Sequence, residues 1–217
     1  MASSTLIEST RTTRTTTTTK TGTYNSFIVT YFITFHKTHI CSDKYAVTRN
    51  HLYETIPTLF KQWSLSLEIM LMGVIDNRSN ILRIGLGGNA DEYGDRTPAI
   101  FLPSNSKVLR IDSAVNGDRK HSTNLPVIQI NRWTKIEISQ LRQPDDKYQF
   151  TIRMAGTIKY QIINTDPREF TDVKVYTSDD YSPAANAMIA NLTIATFPDF
   201  DDGYNHSKLL HYNKKSL

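Results

Sequence analysis

The sequence predicts an all-β protein, a two-sheet antiparallel jelly-roll sandwich with a disordered tail at each end. Three observations support this fold class. Short segments place apolar residues at every second position, which is the period of a strand that buries one face. Turn residues separate the segments, as at Asn116-Gly117 and Ala155-Gly156. No segment shows the 3.6-residue apolar period of an amphipathic helix.

The clearest alternation runs from Trp63 to Leu71, with apolar residues on one face and Ser64, Ser66 and Glu68 on the other. This pattern is typical of a half-buried strand. The predicted core of the sandwich contains Trp63, Leu65, Leu67, Ile136, Ile138, Phe150, Ile152 and Leu192.

Two further strand details follow from parity. Asn80–Leu86 predicts a strand with Leu82, Ile84 and Leu86 on one face. Trp133 lies three positions before Ile136, so in a regular strand their side chains point to opposite faces. A bulge or turn at the start of the strand is needed for Trp133 to cap the core.

The chain divides into three parts. Residues 1–43 form a Thr-rich low-complexity tail with a short apolar segment, residues 44–198 form the jelly-roll domain, and residues 199–217 form a polar tail. The apolar run Phe27–Phe35 is too short to span a bilayer, which needs about 20 residues. It fits either the hydrophobic part of a signal peptide or an edge strand, and the sequence leaves both open.

Composition excludes several classes of function. The formal net charge is only +4, from 25 basic and 21 acidic residues. No stretch combines clustered cations with aromatic residues. We therefore expect no nucleic-acid partner. The single cysteine, Cys41, has no internal disulfide partner. The scattered histidines lack zinc-site spacing. We therefore expect no cofactor, with calcium as the one exception considered below.

The segment from Trp133 to Ile138, the Tyr148–Ile163 hairpin and the strands Val173–Tyr176 and Asn191–Ile194 resemble the concanavalin A-like, laminin G-like jelly roll. The segments Tyr93–Phe101, Ser113–Arg119 and Asn164–Tyr176 resemble, more narrowly, a module of uncharacterised secreted or surface proteins of marine invertebrates. The resemblance covers about residues 44–197. It implies the sandwich fold and a lectin-like or adhesion role, and it carries no specific ligand.

The resemblance and the motifs together favour a non-catalytic binding or adhesion module for a glycan or an extracellular protein. The alternatives are a carbohydrate-active hydrolase of the same fold and a structural matrix protein without a specific ligand. The glucanases of this superfamily carry their catalytic carboxylates close together on one strand. Here Glu68 and Glu137 are isolated on their strands, so we expect no enzyme activity.

Two polar loops are the candidate ligand sites, because jelly rolls bind ligands at loops on a rigid rim. We expect ligand contacts from Tyr93, Asp95 and Arg96 in one loop and from Asp179, Asp180 and Tyr181 in the other. Calcium prefers carboxylate oxygens, so Asp91, Asp95 and Asp179 are the candidate metal ligands. The alternative is that these are ordinary turns in which Asp95 and Arg96 only fix the loop.

Three sequons begin at Asn77, Asn191 and Asn205. They can be glycosylated only in a secreted chain, and with the resemblance they favour a secreted or extracellular protein. Asn191 lies in a predicted strand with parity opposite to Leu192, so we expect it to face solvent.

Overall fold

The computed structural model describes residues 11–15, 30–34, 36–41 and 43–199. The described chain forms fifteen β-strands. The N-terminal strands are β1 (Arg11–Thr15), β2 (Thr30–Thr34), β3 (His36–Cys41) and β4 (Tyr45–Ala46). The middle strands are β5 (Leu52–Leu59), β6 (Gln62–Leu71), β7 (Ser79–Gly85), β8 (Ala99–Leu102), β9 (Val108–Val115) and β10 (Asp118–Val127). The last are β11 (Thr134–Arg142), β12 (Tyr148–Met154), β13 (Thr157–Asn164), β14 (Phe170–Tyr176) and β15 (Ala187–Phe197).

The strands form a two-sheet antiparallel sandwich, as the sequence predicts. One sheet has the order β10-β9-β8-β7-β14-β5, and the other has the order β13-β12-β11-β6-β15-β3, with β4 also paired to β15. We call them the β7 sheet and the β6 sheet after a central strand of each. The chain moves between the sheets several times, which gives the jelly-roll connectivity. No helix in the described ranges is long and apolar enough to cross a membrane.

The core lies between the two sheets and contains all eight predicted residues. β6 alternates strictly between half-buried and buried positions. Its partner β11 does the same around Ile136 and Ile138, which pair with Leu67 and Leu65. Because the side-chain period of a strand is two, this register puts Leu65, Leu67, Ile136 and Ile138 together on the inner face.

Two turns match their sequence signals. Asn116 and Gly117 both have positive φ, 56° and 76°, between β9 and β10. Ala155 and Gly156 have φ of 50° and 78° between β12 and β13. Two consecutive residues with positive φ form the hairpin turn whose twist matches the twist of the flanking strands.

The expectation that Leu86 shares the inner face with Leu82 and Ile84 was wrong, and the turn before β11 does not place Trp133 over the core. Leu86 lies beyond the end of β7 and is exposed, because the strand ends at Gly85, where the chain turns into the following loop. Trp133 precedes β11 and is only half-buried, with the Lys44 ammonium 5.6 Å from its ring centroid. Asn131 adopts a φ of 59°, so the turn is present, but it leads Trp133 to the surface near Lys44 and not over the core.

The N-terminal region contains strands where the sequence predicts a tail. Arg11–Thr15 pairs with Thr30–Thr34 in a separate two-stranded sheet, and threonine, being β-branched, favours such extended backbone. β3 is an edge strand paired with β15, so the β6 sheet begins before residue 44. The remaining residues of the N-terminal tail, including those of Phe27–Phe35 that flank β2, lie outside the described residues. The C-terminal tail after Asp199 also lies outside them.

The β7 sheet positions the candidate site because its central strand is buried on both faces. All seven residues of β7 and all four of β8 are buried. The inner face packs on the core, and loops 86–98 and 177–186 lie over the outer face. Backbone hydrogen bonds tie the ends of these loops to the edges of β7, including Thr97 N–H to Ile84 O at 2.7 Å and Asn80 N–H to Pro183 O at 2.9 Å.

The assignment of the inner face predicts the cost of two truncations. Leu67→Ala and Ile138→Ala should each lower the free energy of unfolding by about 2–5 kcal/mol, because both side chains are fully buried and truncation leaves a cavity. Denaturant unfolding measures this. Leu141→Ala, on the outer face of β11 and 38% exposed, is the matched control and should change stability much less. Equal losses at all three positions would contradict the assignment.

Candidate functional site

The buried amide of Asn80 anchors the loop that follows β14. Its Nδ2 donates to the carbonyls of Leu82 and Ile100, each at 3.1 Å, and its Oδ1 accepts the backbone N–H of Asp179 at 3.0 Å. The amide is therefore satisfied inside the protein, as a buried polar group must be. The start of the loop at Ser178, with a φ of 67°, is thereby fixed against β7.

Arg83, three residues further along β7, joins the two predicted site loops. Its Nη1 donates to Asp179 Oδ2 at 2.8 Å, and its Nε donates to the backbone carbonyl of Asp95 at 3.0 Å. Both side chains of the Arg83–Asp179 pair are almost fully buried. The other oxygen of Asp179 accepts the N–H groups of Tyr181 and Ser182, so this carboxylate is ion-paired and also accepts two backbone donors.

The Asp95 side chain holds its own loop together. Its carboxylate accepts the backbone N–H groups of Gly88, Ala90, Asp91 and Glu92 at 2.9–3.2 Å. Burial raises the pKa of Asp95, but the four N–H donors outweigh burial, and the pKa lies below its usual value. The arrangement stabilises the charged carboxylate within the loop.

Two glycines allow this loop to approach β7. A Cβ added at Gly85 would lie 2.1 Å from the carbonyl oxygen of Asp95, and a Cβ at Gly88 would lie 2.5 Å from the Asp95 carboxylate. A side chain at Gly85 would push the Asp95 backbone away from the strand, and one at Gly88 would displace the Asp95 carboxylate within the loop. Arg83 would then lose its carbonyl acceptor, so the glycines help to maintain the junction between the loops.

A small pocket of about 120 Å³ opens to solvent beside Arg83. Its lining residues are Asn50, Arg83, Gly87, Tyr176, Asp179, Asp180 and Tyr181. The Tyr181 hydroxyl donates to Gly87 O at 2.9 Å, and the Arg83 guanidinium carbon lies 5.0 Å from the Tyr181 ring centroid. The ring is therefore held in place while 48% of the residue stays exposed.

One donor on the pocket wall is unused. Arg83 Nη2 is buried and has no hydrogen-bond partner in the part of the chain that the structure describes. A buried donor without a partner costs about 1–3 kcal/mol. Because Arg83 lines the pocket, a small movement of its guanidinium would bring this donor to an acceptor oxygen of a ligand or of water.

The structure brings only part of the predicted site together. Asp179, Asp180 and Tyr181 line the pocket, whereas Asp95 does not line it and contacts the lining residue Arg83 through its backbone carbonyl. Tyr93 lies elsewhere, with its hydroxyl donating to Asp166 O at 2.8 Å and the Arg168 guanidinium 4.2 Å from its ring. Arg96 is turned toward Asp112, with its Nη1 2.7 Å from Oδ2.

The candidate calcium ligands do not form one cluster of free carboxylates. Asp91 is exposed, whereas the carboxylates of Asp95 and Asp179 are filled by the donors described above. Within residues 43–199 and the described N-terminal strands, no group of three or more histidine, cysteine or acidic side chains has a metal-binding arrangement. These contacts favour the interpretation in which Asp95 fixes its loop.

Four pocket residues were missed in the sequence: Asn50, Arg83, Gly87 and Tyr176. A charged residue in the otherwise apolar strand segment Ile81–Ile84 was the available signal for Arg83, because such a residue must find a partner if the strand is buried. Asn50 and Tyr176 carried no such signal. They reach the pocket because β14 pairs with β5, and that pairing cannot be deduced from either segment alone.

No protein-family model matches the sequence, and no curated protein matches it. Solved structures give three examples of similarity. A native heptameric SAP-like pentraxin from Limulus polyphemus matches with a TM-score of 0.48 and 10% identity, over 70% of this chain and 76% of that one. The receptor-binding domain of botulinum neurotoxin type G matches with a TM-score of 0.46 and 13% identity, over 88% and 49%. An endo-β-1,4-glucuronan lyase from the fungus Trichoderma reesei matches with a TM-score of 0.43 and 10% identity, over 88% and 90%.

These similarities are too low to assign a family or a function. The resemblance to concanavalin A-like domains is consistent with the two-sheet jelly-roll architecture of the chain. The narrower resemblance to a module of marine invertebrates stays a prediction.

The role of Asp95 predicts a pH-dependent stability effect. Asp95→Asn should lower the free energy of unfolding at pH 7 by about 1–3 kcal/mol, because the new NH₂ group faces backbone N–H donors. The depressed pKa of Asp95 means that its contribution is present above the unfolded-state pKa, near 3.8, and is lost as pH falls through the lower folded-state pKa. The difference between wild type and variant should therefore shrink below pH 4, which denaturant melts from pH 2 to 7 would measure.

Asp91→Asn is the control for this experiment, since Asp91 is exposed in the same loop. It should change stability little at any pH. A stability difference for Asp95→Asn that stays constant from pH 7 to pH 2 would contradict a role for the charged carboxylate.

Proposed function

We propose that this chain is a non-catalytic glycan-binding module, and that the pocket beside Arg83 accepts one sugar residue. The observation that carries the proposal is the combination of an unused buried donor, Arg83 Nη2, with an exposed aromatic ring, Tyr181, held over the same pocket. Sugar sites combine a few placed polar groups with an apolar contact surface.

The chemistry of a pyranose ring matches the pocket on both sides. Its hydroxyl groups accept and donate hydrogen bonds, so one can accept from Arg83 while others donate to the side chains of Asn50 and Asp180 on the lining. Its C–H face is apolar and packs on an aromatic ring such as Tyr181. The volume of about 120 Å³ equals the space of about four water molecules and suits the edge of one ring.

The charges around the pocket favour a neutral sugar at this position. The Arg83 guanidinium is already neutralised by Asp179 at 2.8 Å. Asp180 adds a carboxylate, and Arg49 adds a cation nearby, because its Nη2 donates to the Asp180 carbonyl. The pocket therefore has no excess charge to attract an ion.

The hydrolase alternative has a weaker basis. Glu68 and Glu137 lie on the outer face of neighbouring strands of the β6 sheet, where Glu137 pairs with Ser66 and Lys135 pairs with Glu68. Asn191 Nδ2 donates to Glu68 at 2.7 Å, and Lys135 lies 2.8 Å from Glu137. A glycosidase acid needs an apolar environment that keeps its proton, and Glu137 is one-third exposed beside an ammonium.

Two substitutions test the sugar pocket. Tyr181→Ala should weaken glycan binding at least tenfold because it removes the contact surface for the ring. Asn50→Gly should weaken it several-fold because it removes a polar lining group while keeping the left-handed backbone, since Asn50 has a φ of 53°. A glycan array would identify the ligand, and calorimetry with that glycan would give the affinities.

Asn105→Gly is the matched control, because Asn105 has a φ of 51° in the distant β8–β9 turn. It should bind like wild type. Binding that survives Tyr181→Ala would place the site elsewhere, and the absence of any bound glycan on the array would favour the structural matrix protein.

We infer also that the chain is secreted. Asn77 and Asn191 are both exposed, which supports the use of their sequons, while Asn205 lies outside the described residues. Asn191 faces solvent as expected, within a bulge of β15 where its φ is 53°. An extracellular location would also give a glycan-binding module access to cell-surface and matrix glycans.

Expression in a eukaryotic cell tests the location. We expect the protein in the medium, with a mass that falls after treatment with an N-glycosidase. Asn77→Gln should reduce that mass difference by one glycan, because Asn77 is exposed in the loop between β6 and β7. Retention of an unglycosylated chain in the cytosol would contradict secretion.

A further inference from the structure

Three arginines converge on one buried carboxylate on the outer face of the β7 sheet. Asp112 Oδ2 accepts from Arg78 Nη2 at 3.2 Å and from Arg96 Nη1 at 2.7 Å. Its Oδ1 accepts from Arg110 Nε at 2.8 Å and from Ser122 Oγ at 2.7 Å. We call these residues the Asp112 cluster.

The cluster carries more positive than negative charge. One carboxylate faces three guanidinium groups, each of which stays protonated in a protein. Asp112 is fully buried and its acceptor positions are filled, so it can take no further donor. Burial lowers the pKa of Arg96, the Asp112 carboxylate opposes this, and the charges of Arg78 and Arg83 lower it further. The repulsion among the arginines is thus only partly compensated within the protein.

Two of the arginines present this excess charge to solvent. The side chains of Arg78 and Arg110 are 43% and 39% exposed. Arg78 donates to Oδ2 and Arg110 donates to Oδ1 of the same carboxylate, so both guanidinium groups belong to one patch around Asp112. Among the described residues, Arg78 donates only to Asp112, which leaves most of its five N–H groups available to a ligand.

Packing holds the arginines in position. The Arg78 guanidinium carbon lies 3.9 Å from the Phe101 ring centroid, and that of Arg96 lies 5.0 Å from it. Arg96 Nη2 also donates to Asn89 O at 3.0 Å, and Arg110 Nη2 donates to Ser122 Oγ at 2.7 Å. Since the side chains are already ordered, an anion bound there would not have to bear the entropy of fixing them.

We propose that the exposed guanidinium groups of Arg78 and Arg110 bind a tetrahedral oxyanion, a sulfate or phosphate ester group on a larger ligand. Two adjacent guanidinium groups match such an anion, because each offers paired N–H donors to its oxygens. The site is separate from the sugar pocket. Arg83 pairs with Ala99, and Ala99 pairs with Asp112, so two strand spacings, about 10 Å, separate Arg83 from Asp112.

The site can be tested without knowledge of the natural ligand. Glucose 6-sulfate, glucose 6-phosphate and glucose would be titrated at constant ionic strength, with the arginine Nε–H resonances followed by NMR. We expect saturable shifts for Arg78 and Arg110 with one or both charged sugars and none with glucose. The two charged sugars distinguish the two ester chemistries. A direct resonance readout is needed because sulfate and phosphate also stabilise proteins non-specifically.

Three variants complete the experiment. Arg78→Gln and Arg110→Gln, made singly, should each weaken binding at least tenfold, whereas Arg153→Gln, which removes an equal charge from an exposed position on the β6 sheet, should leave it unchanged. Circular dichroism would confirm that each variant is folded. If both single variants fail to fold, the wild-type shifts decide the proposal alone. Linear, unsaturated shifts in wild type, or equal losses in all three variants, would overturn it.

Discussion

Arg83 carries a charge inside β7, a strand that is buried on both faces. The outer side of the β7 sheet is organised by the partners that this charge needs. Arg83 is almost completely removed from water, which costs several kcal/mol for an ion unless partners replace the lost hydration. Those partners come from two loops, the Asp179 carboxylate from one and the Asp95 carbonyl from the other. Each loop must therefore lie over β7, and their meeting point creates the pocket.

Side chains hold the backbone of both loops by hydrogen bonds. These bonds make the loops rigid parts of the scaffold. Asp95 collects four N–H groups, and Asp179 collects two besides its ion pair. Asn80 supplies the acceptor that holds the Asp179 backbone. Side chains on such loops, Tyr181 above all, have little freedom to lose when a ligand binds, which favours affinity.

Much of the fold follows from the sequence, because strand alternation and turn chemistry are local. The alternation of β6 identified its inner face, and Asn116-Gly117 and Ala155-Gly156 identified two hairpins. The errors arose where distant segments decide the outcome. Leu86 continues the pattern of its strand, but the approach of the Asp95 backbone to Gly85 ends that strand one residue earlier.

The candidate site was predictable only in part for the same reason. The loop Ser178–Tyr181 was identified from its polar composition and does line the pocket. The role of Asp95 was open, since composition does not distinguish a carboxylate that binds a ligand from one that accepts four backbone donors. The sequence did not predict the Asp112 cluster. Its arginines, Arg78, Arg96 and Arg110, come from three separate segments that meet only when β7, β8 and β9 pair.

The position of β15 has a consequence for how the protein folds during synthesis. β6 lies between β11 and β15 in its sheet, and a side-chain contact at that border joins Phe60 and Thr196, 136 residues apart. Ribosomes synthesise the chain from the N-terminus. The edge of β6 that pairs with β15 therefore stays unpaired until almost the whole domain has been made. Such long-range pairing slows folding and exposes a strand edge to other chains. The edge of β6 is therefore open to pairing with other chains until β15 leaves the ribosome.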